Sequence, residues 1–161
     1  MTVLALDCGN KTGWARSVRT GSTESGVVDF TPKPNALVAW NRWSRFVDWL
    51  DQMLDNHVRL VVYERWTNAP GIAAKISAGF ITRVEERCDA LGVERLEVSP
   101  AELKLWLTGK GNASKDEMTA EVLKRGWVNL RLYQSTDKAP PVTSDEADAL
   151  ALLHFALEKH A

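Results

Sequence analysis

The sequence predicts a single α/β domain over residues 1–161, a layered sandwich with a five-stranded mixed sheet flanked by helices. Three observations carry that prediction. Apolar runs follow the order strand, strand, strand, helix, strand, helix, strand and then helices, which suits a meander followed by crossover connections. The run VRLVVYE at 58–64 is almost continuously apolar, as a central strand covered on both faces requires. The longer runs between strands repeat apolar residues at three- and four-residue spacing, the period of an amphipathic helix.

TVLALD (2–7) is a short apolar strand that ends in Asp7. CGNKTG supplies turn residues, and WARSVRT (14–20) alternates enough to return antiparallel. A TGSTESG turn leads to VVDF, the third strand. TPKP breaks the chain before a helix from about Asn35 to Asn56, striped by Leu37, Trp40, Trp43, Val47, Leu50 and Leu54. After the fourth strand, Pro70-Gly71 opens a helix to about Leu91 with the stripe Ile72, Ile76, Phe80, Val84 and Cys88. ERLEV (94–98) is the fifth strand. Three further helix starts carry the capping-box pattern: Ser99 with Glu102, Ser114 with Glu117, and Thr143 with Glu146. A polar, Pro-containing loop at roughly 129–143 precedes the last helix, DEADALALLHFALEKH.

Composition bounds the function without choosing it. The chain is 45% apolar, enough for a sizeable core. Its 20 Lys+Arg against 21 Asp+Glu neither announce a nucleic-acid partner nor exclude one, because binding follows local charge. Two cysteines, Cys8 and Cys88, make no disulfide framework, which fits a reducing cytosol. No apolar run approaches membrane-spanning length, and no basic segment followed by an apolar one opens the chain. The expectation is a soluble cytoplasmic protein without repeats, low-complexity tracts or interdomain linkers. Most of the seven tryptophans are expected in the core.

The carboxylates point to chemistry. Asp7 ends the first strand and Glu64 the fourth; if these strands are parallel neighbours, both acids emerge at one sheet edge, where open α/β sheets bind ligands. Asp145 and Asp148, spaced i and i+3, project from one face at the start of the last helix. Leu152 and Phe155 continue that face and anchor it on the sheet, while Glu146 reads as the cap partner of Thr143. Each acid taken alone reads more readily as a helix-dipole or surface charge. Together they would raise one another's pKa values, a conflict that a divalent cation resolves. An all-oxygen ligand set suits Mg²⁺ or Mn²⁺, not Zn²⁺. Two such ions about 3.5–4 Å apart would clamp the attacking and leaving oxygens of a displacement at phosphorus.

Four blocks, LALDCGNKTGWA, VVYE, VSPAELKLWLTGKGNASKDEM and SDEADALALLH, resemble in order those of RuvC-type Holliday junction resolvases of the RNase H-like superfamily. The resemblance covers essentially the whole chain. It implies a Mg²⁺-dependent homodimeric endonuclease that cuts paired strands of a four-way DNA junction, leaving 5′-phosphate and 3′-hydroxyl ends. It maps the catalytic, metal-holding carboxylates onto Asp7, Glu64, Asp145 and Asp148 and two functional lysines onto Lys104 and Lys115. Cys8 stands where the family usually has Pro; alternation turns it away from Asp7's side, so it reads as a small buried thiol. Trp66 is read either as the aromatic that wedges into the junction or as a core or lid residue. His154, six residues past Asp148, falls on the opposite side of the helix and is not assigned to catalysis. Near-neutral charge and divergence suggest a phage or prophage version.

Lys104, Lys110 and Lys115 bracket TGKGNAS, whose following helix start suits a phosphate; Lys11, Arg16, Arg65 and Arg131 extend the DNA path. Trp66, Arg65, Lys11 and Lys110 complete the candidate DNA contacts. Ala73, Ala74, Ala78 and Gly79 form a small-residue stripe on the second helix, suited either to a symmetry mate or to the core. The rival readings are a broader fork and flap nuclease, a non-catalytic junction-binding module, and an actin-like ATPase or kinase. The last would need a second phosphate-binding Asp-Gly loop, which the sequence lacks.

Overall fold

Alternation along a strand decides which residues meet which helix layer. The computed structural model describes residues 2–18, 21–32, 41–67, 70–128 and 142–160. Its strands are β1 (Thr2–Asp7), β2 (Lys11–Ser17), β3 (Thr23–Asp29), β4 (Val58–Glu64) and β5 (Glu94–Val98). They form one sheet in the order β3-β2-β1-β4-β5. β2 pairs antiparallel with β1 and with β3, whereas β4 runs parallel to β1 and to β5. The helices are α1 (Arg42–Met53), α2 (Ile72–Leu91), α3 (Pro100–Thr108), α4 (Lys115–Lys124) and α5 (Ser144–His160).

Two cores follow from the parity of the strands. Val3, Ala5, Ala15, Leu60, Val62 and Val98 pack with the buried faces of α3, α4 and α5. Leu4, Leu6, Val61 and Tyr63 pack with α1 and α2 on the other side. The near-continuous apolar run of β4 is thus used on both faces, as a central strand must be. Aromatic rings knit the second core: Phe46 stacks on Phe80 at 3.9 Å, and Phe30 meets both edge-on. Trp14, Trp43 and Trp49 pack against this core, and Trp106 and Trp127 against the other. Trp40 lies outside the described residues, as do Leu37 and Arg131.

The hairpin departs from the sequence expectation. β2 starts at Lys11 and β3 at Thr23, with the ladder running from Lys11↔Asp29 to Ser17↔Thr23. Just beyond the ladder the Val18 N–H donates to the Ser22 carbonyl at 2.8 Å, and Gly21 has φ 84°. TESG reads as turn chemistry in isolation, but an edge strand buries its side chains only in part and tolerates polar residues. Gly26 also has a packing reason, since it lies across from Trp14, whose indole would press on a Cβ there.

The small-residue stripe of α2 is partly internal. A Cβ at Gly79 would run into the ring of Trp43, so this position closes α1 on α2. Ala73 and Ile72, by contrast, are exposed. Among the described residues no helix is long and apolar enough to cross a membrane. Gly79→Ala should cost about 1–3 kcal/mol in urea unfolding, as overpacking does, with the sedimenting mass unchanged. A loss of mass with unaltered stability would return Gly79 to an intermolecular role.

Candidate functional site

Parallel pairing of β1 with β4 builds the floor of the site. The register sets Leu6 beside Tyr63, so the next residues, Asp7 and Glu64, leave the sheet side by side at its C-terminal edge. Asp7 continues the face of Val3 and Ala5, and Glu64 that of Leu60 and Val62, so both belong to the side that α5 covers. α5 packs over β2 and β1 with Ala147, Ala149, Leu150, Ala151, Leu152 and Leu153 fully buried. The start of α5 brings half-buried Asp145 and Asp148 within electrostatic reach of Asp7. Leu152 and Phe155 anchor the helix as the i, i+3 pattern anticipates.

The carboxylates raise one another's proton affinity. Burial first, then the charges of Asp148, Glu64 and Asp145, hold the Asp7 carboxyl well above its ordinary range, with Lys115 opposing. Glu64 is pushed up by burial and by Asp148, and drawn down by Lys104 and Lys115. Burial lifts Asp148 to about 6, Asp145 adding to it while Lys115 and Lys104 pull against it. Like charges held in a poorly hydrated place behave in this way. The four share one electrostatic neighbourhood, yet among the described residues no three His, Cys, Asp or Glu form a ready-made metal site. The set is looser than the sequence implied, and only its chemistry fits a hard divalent cation: carboxylate oxygens and no soft donor. Burial and the Asp7 charge keep the Cys8 thiol protonated, and Cys8 packs against the α1–α2 core.

The cations divide into two groups. Lys115 is the first residue of α4, behind a complete capping box in which Ser114 and Glu117 satisfy one another's backbone N–H groups. From there its charge reaches Asp7, Glu64 and Asp148, while half-buried Lys104 on α3 reaches Glu64 and Asp148. Lys110 instead bonds Glu117 at 2.8 Å, and Arg65 bonds Glu97 at 3.3 Å. Arg16 bridges Glu24 and Asp55, at the end of β2 away from Asp7. The Lys110 and Arg65 pairs are exposed enough to exchange for phosphate at little cost, but none of the three is a free cation aimed at the acids. Lys11 is exposed at the start of β2.

Trp66 is 44% exposed, which removes the core reading. It lines a cleft of about 270 Å³ with Asp7, Glu64 and Arg65, opposite Pro70, Ala74 and Ser77 at the start of α2. The small-residue stripe of the second helix, read from sequence as a symmetry-mate or core surface, places Ala73 and Ala74 on this wall. His154 stacks on Trp127 at 3.9 Å, and burial lowers its pKa to about 4, so it stays neutral near pH 7. Glu146 is the larger surprise. Its N–H donates to Thr143 Oγ1 at 3.2 Å as a cap should, but its carboxylate is buried and accepts the Ser25 hydroxyl at 2.7 Å.

No family model matches the chain. The crossover junction endodeoxyribonucleases RuvC of Anaeromyxobacter dehalogenans (strain 2CP-1 / ATCC BAA-258) and Anaeromyxobacter sp. (strain K) are each 30% identical to it over 171 aligned positions, covering all of this chain and 83% of theirs. Among solved structures, Thermus thermophilus RuvC superposes with a TM-score of 0.68 at 22% identity, over 98% of this chain and 96% of its own. T. thermophilus RuvC in complex with a Holliday junction substrate gives 0.69 at 24% identity, over 94% and 90%. The yeast mitochondrial Holliday junction resolvase Ydc2 gives 0.54 at 14% identity, over 93% and 75%. These likenesses establish the five-stranded mixed sheet and its flanking helices as the RNase H-like fold of RuvC.

The repulsion among the acids is measurable in the protein without cation. Asp7→Asn removes a buried charge from among three others and should raise the melting temperature in EDTA by roughly 2–8 °C, on the order of 1–2 kcal/mol. Added Mg²⁺ should stabilise the native protein and not the variant. A variant that melts lower than the native protein in EDTA would show that Asp7 is not held against its neighbours.

Proposed function

The chain belongs to the RuvC family of crossover junction endodeoxyribonucleases, and on that premise we propose that it resolves four-way (Holliday) DNA junctions by paired phosphodiester hydrolysis in the cytoplasm. The observation that carries this reading is the mutual electrostatic strain of Asp7, Glu64 and Asp148, with Asp145 beside them. Asp7, Glu64, Asp145 and Asp148 would hold Mg²⁺, two ions to a site, with Mn²⁺ as a substitute. When bound, the cation supplies Lewis acidity at the scissile phosphate and makes water a competent nucleophile near neutral pH.

The chain's own residues do the rest. Asp7 and Glu64 fix the floor, since neither strand end can shift without breaking its ladder. Asp145 serves as a further ligand or takes the proton of the attacking water. As the water oxygen bonds to phosphorus, the bond to the 3′ oxygen breaks, leaving 5′-phosphate and 3′-hydroxyl ends. Lys115 and Lys104 offset the charge that grows on the phosphate oxygens. Lys11, Arg65 and Lys110 bind backbone phosphates of the arms, and exposed Trp66 stacks on bases at the branch point. Two cuts related by a two-fold axis require two sites, so the working form is a homodimer.

Asp7→Asn, Glu64→Gln and Asp148→Asn should each slow junction cutting by about 100-fold or more. Junction affinity should hold or improve, because a negative charge facing phosphate is gone. Cutting within about tenfold of the native rate would remove these acids from the reaction. Running four-way, three-way and flap substrates side by side separates a junction resolvase from a general branched-DNA nuclease.

Lys115 gives a finer division of labour. Lys115→Ala should slow single-turnover cutting by roughly 10- to 1000-fold while affinity falls modestly, because its charge matters most in the transition state. A lysine that only tracks phosphate would instead weaken binding, reduce the salt slope by about one unit and leave the saturated rate alone.

A further inference from the structure

Gly13 lies directly across the ladder from Asp7. Its φ is not positive, so glycine is not required there for backbone conformation. Space is the reason: a Cβ at Gly13 would overlap the backbone carbonyl of Asp145. The first turn of α5 therefore rests on bare backbone beside the strand end that carries Asp7. Next along the same face, small residues continue the close approach, with Ala5 and Ala15 on the sheet and Ala147 and Ala151 on the helix all fully buried.

A second contact fixes rotation. Ser25, paired with Ala15 in the β2–β3 ladder, donates its hydroxyl to Glu146 Oε1 at 2.7 Å. Glu146 is only 4% exposed. Burying a carboxylate costs free energy unless hydrogen-bonding partners hold it in place, and the Ser25 hydroxyl is one such partner. The apolar run from Ala147 to Leu153 already anchors α5, so adhesion alone gives no reason to bury an acid at its start. Successive helical residues are about 100° apart, and Glu146 lies between the two aspartates' positions in sequence. Fixing Glu146 on β3 therefore fixes the direction in which Asp145 and Asp148 leave the helix.

We propose that Gly13 and the Ser25–Glu146 bond are positioning elements: Gly13 sets the height of the first turn of α5 above the sheet, and the bond sets its rotation, so that Asp145 and Asp148 meet Asp7 and Glu64. The proposal rests on the assignment of these four acids to the nuclease site. None of Gly13, Ser25 and Glu146 need touch substrate.

The test compares native protein with Ser25→Ala, Ser25→Thr and Gly13→Ala. It measures Mn²⁺ binding without DNA by calorimetric titration, single-turnover cutting across Mg²⁺ concentrations, and thermal unfolding. Ser25→Ala should weaken Mn²⁺ binding about 10-fold and raise the half-saturating Mg²⁺ concentration to match, as loss of a ligand-orienting contact does. Its rate at saturating Mg²⁺ should recover. Ser25→Thr keeps the hydroxyl and should behave as the native protein, and Gly13→Ala should lose Mn²⁺ binding. The Ser25 pair decides the proposal even where Gly13→Ala does not fold. If native protein binds Mn²⁺ and cuts, and Ser25→Ala matches it at every Mg²⁺ concentration with only a lower melting temperature, the bond is structural and the proposal fails. If native protein neither binds Mn²⁺ nor cuts, the nuclease reading fails and takes the proposal with it.

Discussion

Like charges buried side by side repel, and at the C-terminal ends of β1 and β4 this chain sustains that repulsion instead of avoiding it. The register that pairs Leu6 with Tyr63 leaves Asp7 and Glu64 adjacent. Each then has its proton affinity raised by burial and by neighbouring acids. A sheet optimised for stability alone would end these strands on neutral residues. Strain of this kind concentrates where a charged ligand will later relieve it. The lysines do not relieve it fully, since Asp148 stays raised to about 6 despite Lys115 and Lys104.

The remainder of the fold serves that convergence. Alternation in β1 and β4 turns both acids toward α5, and the opposite parity gives Leu4, Leu6, Val61 and Tyr63 to the aromatic core under α1 and α2. That second core, with Phe46 stacked on Phe80, stiffens the sheet from behind. The capping box at Ser114 starts α4 at a defined residue, which is why Lys115 and not a neighbour presents its charge to the acids. The helix supplying Asp145 and Asp148 can approach only because β2 is glycine and alanine beneath it.

Much of this was legible in the sequence because it depends on period and position. The apolar run before Glu64 is buried, and β1 and β4 end at Asp7 and Glu64, as their sequences suggest. The D-x-x-D spacing sets Asp145 and Asp148 near the start of α5. The beginning of β3 was not legible, because Thr23, Glu24, Ser25 and Gly26 are turn formers by composition and become strand only by pairing with β2. Glu146 was read as a cap partner because local spacing sees Thr143 and cannot see Ser25, 121 residues away. Gly79 carried no mark that distinguished a surface stripe from a slot for Trp43. Contacts between distant segments decide such positions, and no local pattern encodes them.

The central claim is that strained carboxylates at the sheet edge form a cation-dependent site that cuts junctions in pairs. Purified protein incubated with a synthetic four-way junction, labelled on each strand in turn, tests it most directly, with Mg²⁺ in one arm and EDTA in the other. The account predicts cuts in Mg²⁺ at symmetric positions in two opposing strands, with ligatable ends, and none in EDTA. Cutting that persists in EDTA, or an intact junction in Mg²⁺ despite demonstrated binding, would contradict it.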